Sequence, residues 1–149
     1  MGHFLILARR FIMSVSDWGR ILGSFDALGV FYEGDVPGPG ECKVYYVHVD
    51  ERGTSVTVGF ETRNVPSRPH ETWRDKVYNT LEFYLLFSGV REFSVSRWSS
   101  VEAARVDMAV GAGGGVSVVL GGEGSGIRFQ ADSVGVQKVR VYLAASGGE

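Results

Sequence analysis

The side chains able to do chemistry are few, and their spacing argues against each reaction they could serve. His3, His48 and His70 stand far apart, and none falls into an HExxH, HxH or CxxC pattern that would bring donors to one metal ion. His48 alternates with Tyr46 along a strand-like run, so it reads as a core or edge histidine and not as a general base. Cys42, the only cysteine, follows Glu41 and lacks the positive surroundings that lower a thiol pKa. It reads as a small inert hydrophobe. GAGGG and GGEGSG match neither GxGxxG nor the phosphate-binding GxxxxGK pattern, and neither opens a helix whose N-terminus could hold phosphate. No GxSxG elbow occurs. The acid pairs Asp50 with Glu51 and Glu33 with Asp35 sit beside turn residues. Glycoside hydrolysis needs two carboxyls about 5 to 9.5 Å apart across a cleft, whereas adjacent turn acids usually solvate their own loop. The expectation is no catalytic residue, no metal site, no cofactor and no enzymatic turnover.

The elements that would position these groups are strands. In YNTLEFYLLFSGVREFSVSRW, Leu81, Phe83, Leu85 and Phe87 recur at period two, as do Phe93 and Val95. Each run therefore has one face suited to a core. Only Ser88 and Gly89 separate the two alternations, which predicts a β-hairpin in which LEFYLLF pairs with REFSVSRW. CKVYYVHV and TSVTVGFET, joined by Asp50-Glu51-Arg52-Gly53, predict another hairpin, with Val56, Val58 and Phe60 facing inwards and Thr57 and Glu61 outwards. Further strands are expected at 105–110, 116–120, 127–131 and 136–143, separated by glycine-rich turns. The connections are too short for helical crossovers, which excludes a parallel sheet. Ser16-Asp17-Trp18-Gly19-Arg20-Ile21-Leu22 predicts one short N-terminal helix, capped by Ser16 or Asp17, whose Trp18, Ile21 and Leu22 share an inward face. GDVPGPG at 34–40 must be a surface loop. The fold expected is mostly β, α+β at most: an antiparallel sandwich or a curled sheet.

A chain of 149 residues fits one domain and one core. The first stretch, MGHFLILARRFIM, resembles a targeting segment but fails that pattern: its apolar run is short, and Arg9 and Arg10 follow the run instead of preceding it. Residues 1–12 are read either as an extension, with Met13 an alternative start, or as a first strand or helix, and 13–149 as the domain. No apolar run approaches the roughly 18 residues of a membrane span. A lone cysteine forms no internal disulfide, which suits a reducing, cytoplasmic setting. A net charge of −2 gives no basic footprint for nucleic acid. Charge is nevertheless uneven: between Leu22 and Glu51 stand six acids, Asp26, Glu33, Asp35, Glu41, Asp50 and Glu51, against the single base Lys43. Gathered together, such acids would steer the protein towards a basic partner.

The order of Trp18 before Ile-Leu-Gly, the linker from Pro66 to Trp73, LEFYLLFSGVREFSVSRW and the closing GIRFQADSVGVQKVRVYL resembles the Immunity protein 50 family, over about residues 14 to 143. The residues carrying the likeness are Trp18, Trp73, Phe87, Gly89, Val90, Trp98, Phe129 and Ala131, all read as framework. The resemblance implies a mostly β antidote that binds a cognate bacterial toxin domain and inhibits it stoichiometrically, without nucleic acid or membrane as partner. The insertion GDVPGPG and the long GAGGG turn depart from the family pattern. Candidate toxin-binding residues, taken as exposed, are Tyr32, Glu33, Asp35, Tyr45, Asp50 and Glu51. A carbohydrate- or peptide-binding sandwich stays open as the alternative, with Trp73 and Trp98 stacking on ligand.

Overall fold

The period-two runs become strands whose apolar positions face one core. The computed structural model describes residues 17–24, 27–98, 106–121 and 125–145. Among them, β1 (Cys42–Asp50), β2 (Ser55–Thr62), β3 (Thr80–Ser88) and β8 (Ser133–Tyr142) form one antiparallel sheet in the order β1-β2-β3-β8. β4 (Arg91–Ser96), β5 (Val106–Val110), β6 (Val116–Leu120) and β7 (Gly126–Ala131) form a second, in the order β4-β7-β6-β5. The architecture is the mostly β antiparallel sandwich expected. Leu81, Phe83, Leu85 and Phe87 are buried on the inner face of β3, as are Val56, Val58 and Phe60 on β2. Phe60 stacks on Phe83 at 5.2 Å, and Phe87 meets Phe129 of β7 edge-on at 5.1 Å, joining the two layers. The predicted β1–β2 hairpin is present in register from Cys42 opposite Thr62 to Asp50 opposite Ser55.

Residues 17–22 are helical, and Trp18 and Leu22 are buried, with Ile21 packed on the core. Ser16 lies outside the described residues, as does the extension at 1–12. Asp17 is committed elsewhere than to a cap: its Oδ2 accepts from Val110 N–H at 2.8 Å, fastening the helix to β5. The Trp18 indole N–H donates to the Pro37 carbonyl at 2.9 Å, which ties the GDVPGPG loop to the core.

The predicted pairing of β3 with β4 is corrected. Both edges of β3 are taken, by β2 and by β8, and β4 pairs with β7 in the other sheet. Ser88 to Val90 is the corner where the chain changes sheets: Asp132 N–H donates to the Ser88 carbonyl at 2.8 Å and Val90 N–H to the Thr54 carbonyl at 2.8 Å. Gly89 makes the corner with φ of 66°, and a Cβ there would lie 2.2 Å from Asp132 Oδ2. Two of the three tryptophans of the resemblance also part company. Trp73 is buried as framework, whereas Trp98 is 39 % exposed.

Candidate functional site

The six residues singled out for binding do not form one patch. Tyr32 is buried, at 5 % exposure, with its hydroxyl donating to the Asn64 carbonyl at 2.6 Å; burial first, then neighbouring Cys42 and Glu41, pushes its phenol up. The expectation that it lies exposed fails, because Tyr32 closes the end of the core beneath its own loop. Glu33 and Asp35 are exposed beside it. Asp50 and Glu51 sit at the other end of β1, roughly 26 Å away at the rise of a nine-residue strand. Asp50 holds the β1–β2 turn, its Oδ1 accepting from Arg52 N–H at 3.1 Å and Gly53 N–H at 3.3 Å. With Glu51 it borders an open cleft of about 470 Å³ over Val49, Val56, Val90 and Phe93. Cys42 is buried, and burial, followed by Glu41, raises its thiol to about 12, in keeping with an inert role. His48 is exposed on the edge strand β1, its ring stacked against Tyr46.

Tyr45 is the exception, because it belongs to an ordered face. Between Val44 and Tyr46 the β1–β2 register slips by one residue, a β-bulge. The pleat would send Tyr45 and Tyr46 to opposite faces, but the bulge leaves both exposed, at 40 % and 43 %. β8 carries a matching irregularity, between the partners of Glu82 and Tyr84, where Lys138 takes a φ of 52°. The two bulges flank the pair Gly59 and Tyr84. Three tyrosines converge over that glycine: a Cβ on Gly59 would lie 2.9 Å from Tyr84 Cε2, 3.1 Å from Tyr46 Cβ and 3.2 Å from Tyr45 Cε1. Lys138 Nζ stands 5.8 Å over the Tyr84 ring.

The next outward-facing row runs across all four strands as Lys43, Glu61, Glu82 and Arg140. It sets two carboxylates directly opposite each other, a pairing that costs stability unless compensated. Compensation is present on both. Glu82, only 4 % exposed, accepts from the Tyr45 hydroxyl and from Arg140 Nε. Glu61 accepts from the Tyr142 hydroxyl at 2.9 Å. The Tyr45 and Tyr84 hydroxyls are 2.6 Å apart. Burial, then the bond to Glu82, pushes the Tyr45 phenol far up; burial, then Glu61, lifts Tyr142 to about 12. Arg140 is held in its charged form chiefly by the hydrogen bond to Glu82. Apart from Tyr45, sequence reasoning missed this face.

No three His, Cys, Asp or Glu side chains come together as a metal site among the described residues, and no helix there is long and apolar enough to cross a membrane. The arrangement offers rigid rings and charged groups on an open sheet, the means of recognition more than of bond making. The class that the fold defines is an antiparallel β-sandwich of two four-stranded sheets with an ordered outer face of rings and charged groups. The chain belongs to the Immunity protein 50 family, whose model matches residues 29–142, most of its length. The Trp18 helix of the resemblance precedes that match. No curated protein and no solved structure matches the chain.

Proposed function

We propose that this protein is the antidote to a bacterial toxin: it binds the toxin domain one to one and blocks it by occupancy, without turnover. Membership of the immunity-protein family carries the reading. The tyrosine and charge face supports it, since Tyr and Arg dominate interface hot spots and rings already locked by hydrogen bonds lose little entropy on binding. A stable complex of this kind buries about 1,200–2,000 Å² in total. Of the candidates from the sequence, Tyr45, Glu33, Asp35, Asp50 and Glu51 remain available to a partner and Tyr32 does not. The toxin is expected in the same compartment, the cytoplasm of the producing cell, as part of a polymorphic toxin system.

The test is co-expression with the toxin domain encoded in the neighbouring reading frame. Growth should be rescued, and calorimetry on the purified pair should give a stoichiometry near one. A toxin that still kills in the presence of folded protein would refute the proposal.

A further inference from the structure

We infer that the outer face of the first sheet is the part that meets the toxin domain, and that the toxin patch it meets carries carboxylates. This rests on the antidote reading above and adds the place and the chemistry of contact. The charges of the face are sorted by depth. Its acids are withdrawn: Glu82 is buried under Tyr45 and Arg140, and Glu61 is held by Tyr142. Its bases stand out: Lys43 and Lys138 are exposed, and the Arg140 side chain is 67 % exposed while only its Nε is given to Glu82. A partner therefore meets positive charge around three rings, Tyr45, Tyr46 and Tyr84. The guanidinium donors left over at Arg140 suit a carboxylate, which a planar fork grips in two places.

The face is built at some expense. Two bulges interrupt the edge strands at one level, Lys138 is held at positive φ, and two glutamates sit side by side. Each feature weakens a sheet locally, and although the bulges also turn Val47 and Val139 towards the core, neither the positive φ of Lys138 nor the paired glutamates serve that core. Together they bring two consecutive tyrosines to one surface and fix an arginine beside them. Complementarity of charge commits the occupant to an acidic protein patch, flanked by whatever meets the acids at the two ends of β1.

The experiment measures binding of the purified toxin domain of the neighbouring reading frame to wild type, Tyr46→Ala, Lys138→Glu and Arg140→Glu. All three side chains are exposed, and thermal unfolding checks that each variant folds. Each should weaken affinity at least about tenfold, the hot-spot scale. An acid-to-lysine change in the toxin should then restore binding to Arg140→Glu and not to Tyr46→Ala. If wild type binds and protects while all three variants bind within about twofold of it, the contact lies elsewhere and this inference falls, leaving the antidote reading intact. If wild type itself does not bind, the antidote reading falls and takes this one with it. Failure of every toxin acid-to-lysine change to rescue Arg140→Glu would overturn the carboxylate assignment.

Discussion

Glu82 shows what single residues contribute here. A carboxylate taken from water costs several kcal/mol unless its oxygens are satisfied, and those of Glu82 are engaged by Tyr45 and Arg140. The gain is order on the outer face more than stability, which comes from the inner one. Phe83, fully buried between Phe60 and its neighbours on the inner row, is the plainest case. Phe83→Ala should cost about 3–5 kcal/mol in urea unfolding, and a loss near zero would mean that the core does not close around it. The phenols give a test by pH. Tyr142 is raised from its ordinary 10.0 to about 12 by burial and by Glu61. A folded value above the unfolded one means that the native state holds the proton more tightly. The contribution is then full below pH about 10 and vanishes as pH climbs through about 12. Ultraviolet titration of wild type against Tyr142→Phe should place the missing ionisation in that interval; a step at the ordinary value would show that the bond to Glu61 is not made in solution.

At the level of strands, the inner and outer assignments of β2 and β3 were open to reading because burial on one face imposes alternation. The bulges were equally legible, though only by asking where alternation breaks. Val44 and Val47 are three apart and both face the core, as are Val136 and Val139, and a strand can turn such a pair inwards only by inserting a residue. The partnership of β3 with β8 left no local trace, because it joins residues more than forty apart and is decided by the whole core. The same ignorance of partners made Ser88-Gly89 look like a hairpin turn, although the tight two-residue turns prefer Asn-Gly or a leading glycine. In fact the glycine serves a corner. Gly89→Ala would place a Cβ against Asp132, the residue that pairs with Arg91 at 2.9 Å, and hold alanine at φ of 66°. It should lower stability by about 1–2 kcal/mol from the left-handed backbone, with more from the clash. Adding Asp132→Ala should recover the part of the clash made by the carboxylate, leaving the Cβ contact at 2.9 Å and the backbone cost in place. Full recovery would show that the backbone conformation is unstrained there.

Across the whole molecule, acids stand at each end of β1, with Arg52 beside those at its finish and Arg63 beside Glu41 at its start, while the tyrosines, Lys138 and Arg140 lie between. Glu33, Asp35 and Glu41 stand at its start and Asp50 and Glu51 at its finish, so the negative segment seen in the sequence is divided into two poles by the fold. Fields from both poles reach outwards over about a Debye length, 8–10 Å in ordinary buffers, and under the antidote proposal they would orient the toxin before the proposed contact at the central tyrosines. Steering of that sort acts on the rate of association more than on the lifetime of the complex. Asp50 also holds a turn, so the informative variant spares it and reverses Glu33, Asp35 and Glu51 to lysine. These three exposed acids should leave stability within about 0.5 kcal/mol of wild type, the usual range for surface changes. Stopped-flow mixing with the toxin domain at low salt should show association slowed by about tenfold, with dissociation little altered. Raising the salt should bring wild type down towards the variant, since screening removes in one what substitution removed in the other. Equal association rates at low salt would mean that the poles are solvated surface, and that recognition is confined to the rings and bases between them.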